Sequence, residues 1–239
     1  MRYFAVSHCS LVMFIPPILC IKLNDYLVDI VRVKYRKIRD SFGIGETSFG
    51  TIINIGSGGT PKTSVEEYWG GNIPFFSPKD VSGTYVSDTE KMISKKGLNN
   101  CNSALYPKDT IFITARGTVG KIAMAAREMA MNQSCYAISG KKSGQQHYIH
   151  QICIDLIDSL KQKSNGAVFD AINTKDIEQE HIIKLNEDAI ERFESFATPI
   201  YDLIYANGKI ISNLNRVRDY LLPKLISGEI DVNNLNLNN

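Results

Sequence analysis

The chain has 239 residues, of which 44% are hydrophobic and 22% are charged, so it is long enough to bury a core and too apolar for intrinsic disorder. Its net charge of +2 is unevenly distributed, with +3 on residues 1–50, +4 on residues 51–142 and −5 on residues 143–239. The basic N-terminal part could bind a polyanion while the acidic C-terminal part contacts a protein, or both could be ordinary solvated surfaces. Its five cysteines form no CxxC pair, which argues against a disulfide framework or a zinc cluster and favours a reducing cytoplasm.

The N-terminal stretch from Tyr3 to Ile21 is almost wholly apolar and follows Arg2, as in a signal peptide or a short membrane span. His8 and Pro16–Pro17 interrupt it, and no small-residue cleavage site follows. We expect a buried strand or helix, or extra residues from an uncertain start codon. A membrane anchor is the alternative.

The next stretch, Val31–Arg39, alternates apolar and basic residues, which predicts a strand with one basic face. That face would contact phosphates or would simply be solvated. Ser41–Gly45 is glycine-rich and predicts a linker, with a new domain beginning near Glu46.

The middle of the chain predicts short strands separated by large loops, followed by one amphipathic helix. The predicted strands are Thr51–Ile55, Thr110–Thr114, Lys121–Ala126, Ser134–Ile138 and His181–Leu185. The predicted loops are Gly56–Pro61, Trp69–Pro74 and Ser77–Gly83. Helical spacing of apolar residues predicts a helix over Gln145–Lys163, with Asn165–Gly166 as its C-cap.

Near the C-terminus, a heptad pattern predicts a long helix that pairs with another helix. Eight of its nine positions are apolar: Phe193, Phe196, Ile200, Leu203, Asn207, Ile210, Leu214, Val217 and Leu221. The candidate coiled-coil seam is Ile200, Leu203, Asn207, Ile210, Leu214, Val217 and Leu221. Asn207 inside such a seam would lower stability but select the register or the partner.

Two positions threaten the continuity of this helix. Pro199 is disfavoured inside a helix, although Thr198 could cap a new helix with Pro199 at its first position. Asn207–Gly208 is a turn dipeptide, but the glycine costs only about 1 kcal/mol in a helix. We predict one continuous helix that ends at Leu222–Pro223.

No catalytic centre is evident. Gly117–Lys121 lacks the first glycine of a phosphate loop, because Ala115 stands there, and none of the eighteen lysines follows an acidic residue by two positions as in common nucleases. His147 and His150 are one helical turn apart, but no further metal ligand is near, so we expect solvent-exposed or capping histidines. We therefore predict no metal and no cofactor.

Several motifs in order resemble the specificity subunits of type I restriction–modification systems over roughly residues 50–232. They are Ser57–Thr63, Tyr68–Phe75, Arg116–Gly120, Asn132–Gln133, Leu214 and Arg218–Ile230. The resemblance implies a noncatalytic, cytoplasmic DNA-binding subunit that pairs with a second copy or another specificity polypeptide. It also implies methylase and restriction subunits as partners. With one recognition domain, the chain resembles a half-subunit or a truncated one, and Asn186 stands where a proline-rich junction often precedes the helix.

The expected fold class is α+β: a β-rich target-recognition domain with large loops and one amphipathic helix, followed by a long coiled-coil helix. The expected parts are an N-terminal segment 1–45, a DNA-binding domain 46–186, and a dimerisation and methylase-docking region 187–239. A helix of 29 residues would span about 43 Å, which suits two DNA sites about one helical turn apart.

The candidate DNA contacts are basic or amide-bearing residues in or beside the predicted loops. They are Lys62, Thr63, Lys79, Arg116, Lys121, Asn132 and Gln133. For Gly58, Gly59, Pro61 and Trp69 we favour roles in turns or core packing, and Asn132–Gln133 could equally be a structural pair. The alternative function is a coiled-coil interaction protein, a remnant or decoy subunit, that does not recognise DNA.

Overall fold

The computed structural model describes the backbone of residues 2–163 and 171–230 and the side chains of residues 17–162 and 171–230. The predicted cap at Asn165–Gly166 lies outside the described residues. The chain has a helix of 41 residues at each end of its other elements: α1 (Arg2–Phe42) precedes them and α5 (Glu187–Ser227) follows them. Between them lie β1 (Gly43–Ser48), β2 (Ile53–Ser57), β3 (Trp69–Phe76), β4 (Tyr85–Val86), β5 (Lys91–Ile93), α2 (Lys95–Asn99), β6 (Ile111–Thr114), β7 (Ile122–Ala125), β8 (Ala130–Met131), β9 (Cys135–Gly140), α3 (Gln146–Lys163), α4 (Thr174–Glu178) and β10 (His181–Leu185).

The strands form a mixed-sheet body that we call the head, comprising residues 43–163 and 171–185. Its central sheet has the order β2-β9-β6-β7-β4, and a second sheet has the order β5-β3-β8. All four residues of β6 are buried, so this strand is covered on both faces. The α+β fold class is thereby confirmed, as are the predicted strands at β2, β6, β7, β9 and β10.

The predicted amphipathic helix is also confirmed. It is α3, and its apolar residues Tyr148, Ile149, Ile152 and Leu156 are almost completely buried. They join one hydrophobic cluster that also contains residues of α1, α5 and the central sheet. Helix α3 therefore connects the head to both long helices.

The predicted basic strand at Val31–Arg39 is wrong, because this stretch belongs to α1. Val31, Tyr35 and Ile38 are buried, and their spacing of four and three residues is that of one helix face. These nine residues fit both the two-residue period of a strand and the 3.6-residue period of a helix. Packing against α5 selects the helix, and no local signal in the sequence distinguishes the two.

The predicted linker at Ser41–Gly45 is wrong as well. Helix α1 continues to Phe42, and β1 follows at once. Strand β1 pairs with β10 in antiparallel fashion, with Thr47 opposite Ile182. The chain therefore enters and leaves the head through one two-stranded ribbon.

Helices α1 and α5 pack against each other in antiparallel fashion and form a unit that we call the rod. Near the head, the rings of Tyr35 and Phe193 meet edge to face with 5.9 Å between their centroids. Further along, Asn207 donates a hydrogen bond to Asn24 over 2.7 Å. The predicted partner of the heptad seam is thus supplied by the same chain, from the segment that the sequence left unexplained.

The heptad residues divide between two sides of α5. Phe193 and Asn207 are buried, and Ile200, Leu214 and Leu221 are half-buried, so the set that repeats every seven residues faces inwards. The alternate set consists of Phe196, which is half-buried, and of Leu203, Ile210 and Val217, which are 46%, 48% and 52% exposed. The buried seam instead includes Ala197, Tyr201 and Ile204, because α5 packs on both α1 and α3.

The predicted continuity of α5 is confirmed. Pro199 and Pro223 both lie inside the helix, so the helix does not end at Leu222–Pro223. Both prolines are on the exposed side, where water can bind the carbonyl groups that a proline leaves without a donor. The helix ends at Gly228, which has a φ of 77°, and it begins at Asn186, whose Oδ1 accepts from the backbone N–H of Ala189 over 2.8 Å.

Among the residues with described side chains, no helix has the length and apolar character needed to cross a membrane. Most of the apolar stretch Tyr3–Ile21 lies outside those residues.

Candidate nucleic-acid interface

The predicted loop at Trp69–Pro74 is a strand. It is the first part of β3, which pairs with β5 and with β8. Gly70 has a φ of 72°, and the register with β5 shifts between Trp69 and Ile73, so the strand contains an irregularity that local glycine signals mark as a loop. Pairing of Trp69, Ile73 and Pro74 with β5 overrides those signals.

Strand β3 forms one wall of an open cleft of about 430 Å³. The cleft is lined by Thr60, Thr63, Trp69, Phe75, Ser77, Pro78, Lys79, Glu90, Lys91, Arg116, Gly117, Thr118, Asn132 and Ser134. Four of the seven predicted DNA contacts are therefore brought together from distant parts of the chain: Thr63, Lys79, Arg116 and Asn132. Three cations and one carboxylate line the cleft, which makes it electropositive.

The predicted contacts Lys62 and Gln133 lie beside this cleft. The backbone carbonyl of Lys62 accepts a hydrogen bond from Nε1 of Trp69 over 3.3 Å. Gln133 accepts through Oε1 from the hydroxyl of Thr60. Both residues thus support side chains that line the cleft.

Arg116 is carried by the tight connection between β6 and β7. Gly117 and Gly120 have φ values of 77° and 79°, which glycine adopts without strain, and they let the connection turn. Arg116 and Thr118 are exposed at its tip. Lys121 lies at the base of the same hairpin, where its backbone pairs with Thr114, and it is outside the lining of the cleft.

Asn132 lines the cleft and makes a local hydrogen bond with Ser134. Its Oδ1 accepts from the backbone N–H of Ser134 over 3.0 Å, which orients the side chain at the wall of the cleft. The backbone of Asn132 also lies against Gly58, where an added Cβ would come within 1.9 Å of the Asn132 carbonyl oxygen. The structural role expected for Gly58 is confirmed by this approach.

Sequence reasoning missed Lys91 as a cleft residue. Its ammonium group lies 5.4 Å from the centroid of the Trp69 ring, and that ring meets Phe75 edge to face at 5.5 Å. Cation–π contact holds the lysine at the wall. The strand that carries it, Lys91–Ile93, has only three residues, which is too short for a periodic signal.

The expectation of exposed or capping histidines is wrong. His147 is half-buried, with Nδ1 2.7 Å from Glu194, and His150 is buried with Nδ1 against the hydroxyl of Tyr201. Tyr201 also accepts from Nε2 of Gln151 over 2.8 Å, so its own proton is free to go to His150. Burial, with a smaller effect of His147, lowers the pKa of His150 to about 3. These histidines join α3 to α5.

No group of three or more candidate metal ligands occurs among the residues with described side chains. The cleft offers hydrogen-bond donors, positive charge and an aromatic surface, which are the means by which proteins bind phosphates and base edges. The protein is thus of a class in which a head with a cationic cleft is carried on a two-helix rod.

Residues 45–185 match the family described as "Type I restriction modification DNA specificity domain". The chain therefore belongs to the type I restriction–modification specificity subunits. It is 28% identical over 174 residues to the MjaIX specificity subunit of Methanocaldococcus jannaschii, covering 71% of this chain and 38% of that protein. It is 27% identical over 184 residues to the HindI specificity subunit of Haemophilus influenzae, covering 72% and 39%.

The fold is also similar to a solved specificity subunit. The crystal structure of the S subunit from M. genitalium superposes with a TM-score of 0.63 at 17% identity, covering 94% of this chain and 60% of that one. The chain spans less than two fifths of the length of the two curated relatives described above. The similarity includes the long C-terminal helix.

Proposed function

We propose that this chain is a noncatalytic, sequence-specific DNA-binding subunit that reads one half of a bipartite target. The observation that carries the proposal is the cleft. Side chains that base reading and phosphate binding require, from four separate segments of the chain, converge there on one electropositive surface.

The cleft residues divide by chemistry. Arg116 and Asn132 carry planar, multidentate groups that suit guanine and adenine edges. Lys79 and Lys91 carry point charges that suit phosphates. Trp69 offers an apolar surface beside them, so the cleft has the means to position a duplex and to discriminate bases.

The rod carries exposed apolar residues that suit a further helical partner. On α1 they are spaced alternately by four and three residues, and on α5 by seven; we call this set the apolar stripe: Leu19, Leu23, Tyr26, Ile30, Val33, Leu203, Ile210 and Val217. On α1, the stripe lies on a different side from arginines 32, 36 and 39, which bind the head.

We propose that a second specificity polypeptide, a second copy of this chain or a product of another gene, packs against the apolar stripe and brings the second recognition domain. Coiled-coil spacing on both helices of the rod supports this partner, because it is the pattern that another helix pair would match. Methylase and restriction subunits would then join the paired rods in the cytoplasm. Residues 1–45 would belong functionally with the C-terminal region rather than form a separate segment.

The test has two parts. The first measures DNA affinity of the chain, co-expressed with its methylase, across a salt series. For a DNA-binding subunit, the logarithm of the binding constant falls linearly with the logarithm of the salt concentration, and the slope depends on the number of phosphates contacted. The second compares methylomes of cells with and without the gene.

A new methylated motif that disappears with the gene would support the proposal. An unchanged methylome in a strain that expresses the complex would refute it. If the chain binds methylase but shows no salt-dependent DNA affinity, the alternative of a remnant or decoy subunit is correct.

A further inference from the structure

We propose that Arg32, Arg36 and Arg39 of α1, with Asp155 and Asp158 of α3, form an arginine clamp that sets the angle between head and rod. The clamp would thereby determine the number of base pairs that separate the two half-targets. The second part rests on the proposed function, because a spacing exists only if two half-targets are read.

The clamp is built around one carboxylate. Oδ1 of Asp155 lies 3.0 Å from Nη2 of Arg32 and 3.1 Å from Nη2 of Arg36, and its Oδ2 lies 3.1 Å from Nη1 of Arg39. Arg32 also binds Asp158. The three arginines follow one another at four and three residues, so they occupy one side of α1.

Three of the five clamp side chains are partly withdrawn from water, while Arg36 and Asp158 are 48% and 43% exposed. The side chains of Arg32, Asp155 and Arg39 are 22%, 23% and 26% exposed. At such sites, charge-assisted hydrogen bonds are directional and are screened less than surface ion pairs. Asp155 holds three guanidinium groups at once, which is more than is needed to neutralise its charge and which restricts its position along α1.

The connection between head and rod explains why such a restraint is needed. Both chain crossings pass through the β1–β10 ribbon, where Gly43 pairs with Leu185. A two-stranded ribbon by itself would let the head bend about one axis relative to the rod. Helix α3 limits this bending through the clamp on α1 and through bonds from His147 and Gln151 to Glu194 and Tyr201 of α5. Tyr85 and Asp88 of the head add contacts to Tyr205 and Ser212 of α5.

Because the rod is long, a small displacement at the clamp becomes a larger displacement at the far end of the rod. Arg32 lies about 16 Å along α1 from the start of the ribbon, and the rod is about 60 Å long. A slack of about 1.5 Å at the clamp is then a rotation of about 5°, which moves the far end of the rod by about 5 Å; this exceeds the roughly 3.4 Å rise of one base pair. Loosening the clamp would therefore change which spacings are accepted without changing the cleft.

The first experiment measures the angle directly in the full chain. Distance distributions are recorded between labels introduced at Asn99 of the head and Ile226 of the rod, both exposed. Asp155→Asn should shift or broaden the distribution by about 3 Å or more, the rise of a base pair. The matched control, Glu67→Gln, breaks the exposed ion pair with Lys96 within the head and should leave the distribution unchanged.

An unchanged distribution in the Asp155→Asn variant overturns the proposal. If that variant does not fold, Arg36→Gln removes one arm of the clamp and leaves Asp155 bound to Arg32 and Arg39. The expected direction is the same, and a distribution identical to that of the natural chain again overturns the clamp.

The second experiment uses the complex with its methylase and a library of targets with varied spacers. The Asp155→Asn complex should methylate targets whose spacer is one base pair too long or too short, which the natural complex rejects, while the bases read in each half stay the same. A spacer preference that does not change, or a changed base preference, refutes the spacing role. If the natural complex methylates no target, the proposed function fails, while the label distances still decide whether the clamp holds the head.

Discussion

Asn207 of α5 donates a hydrogen bond through Nδ2 to Oδ1 of Asn24 on α1, over 2.7 Å and across 183 residues of sequence. Asn207 is 7% exposed and lies in the seam between the two helices. Only one relative position of the helices brings these two amides together. The register role that the sequence predicted for Asn207 therefore has a specific partner within the chain.

We expect Asn207→Ala to destabilise the chain by about 1–3 kcal/mol, because Asn24 then keeps a partly buried amide without its partner. The paired change Asn24→Leu with Asn207→Leu should recover much of that loss by replacing both polar groups. Urea unfolding of Asn24→Leu, of Asn207→Leu and of the double variant gives the coupling energy. Additive effects would show that the two amides do not support each other.

The second prediction concerns pH. The pKa of His150 is lowered to about 3 in the folded protein, mainly by burial, from an ordinary value near 6.5. The unfolded chain then binds more protons between these values, so the stabilising contribution is complete above about pH 6.5 and is lost as the pH falls towards 3. From pH 7 to pH 5 this group alone should cost about 2 kcal/mol.

The check compares urea unfolding at pH 7 and pH 5 for the natural chain and for His150→Asn. The variant retains a hydrogen-bonding group opposite Tyr201 but cannot take up the proton. Its loss of stability on acidification should be smaller by that amount. Equal losses in both proteins would mean that His150 is not the group responsible.

The third prediction distinguishes two kinds of cleft residue. Arg116→Ala should cost about 1–3 kcal/mol of binding and should relax discrimination at one base pair. Lys79→Ala should weaken binding to all sequences alike and reduce the salt slope by about 1. Anisotropy titrations with cognate and scrambled duplexes over a salt series measure both effects.

Lys184→Ala is the control for these cleft variants. Lys184 is exposed on β10, in the ribbon rather than in the cleft. Its replacement should change neither discrimination nor slope. Arg116→Ala and Lys184→Ala with the same effect would contradict the assignment of the cleft.

The fourth prediction tests the apolar stripe. Ile210→Glu with Val217→Glu should abolish pairing with a second specificity polypeptide, since two charges would enter an apolar seam. Both residues are about half exposed in the single chain, so its own stability should change by no more than about 0.5 kcal/mol. Sedimentation velocity and urea unfolding separate the two effects.

Glu191→Lys, at an exposed position near the beginning of the same helix, is the control and should leave pairing intact. A double variant that still pairs would refute the proposed partner surface, as would a natural chain that stays monomeric both alone and with the neighbouring specificity polypeptide.

Local patterns were sufficient for α3 and β10. Helix α3 was predicted to within one residue because its apolar residues repeat with the helical period, and β10 was predicted with its observed bounds from its short run of β-branched and apolar residues. The continuity of α5 through Gly208 also followed from sequence, since one glycine costs less than the packing of the remaining helix stabilises.

Local patterns failed where neighbours from elsewhere in the chain decide the structure. Residues 31–39 fit a strand as well as a helix until Val31 and Tyr35 meet α5. Trp69 and Gly70 indicate a loop by themselves, and pairing with β5 makes this segment a strand. In both cases the segment is too short or too ambiguous for its own periodicity to decide.

Ordered motifs were enough to identify the family, and periodicity and composition were enough to predict the class of fold, the main strands, the long helix and the chemical types that line the cleft. That α1 is the helix packed along α5 became evident from the packing. The tertiary structure also brought Thr63, Lys79, Arg116 and Asn132 into one cleft and showed that Arg32 holds Asp155 rather than a phosphate. The physical reason is that such contacts join residues far apart in the chain, and their free energy depends on packing that no local segment contains.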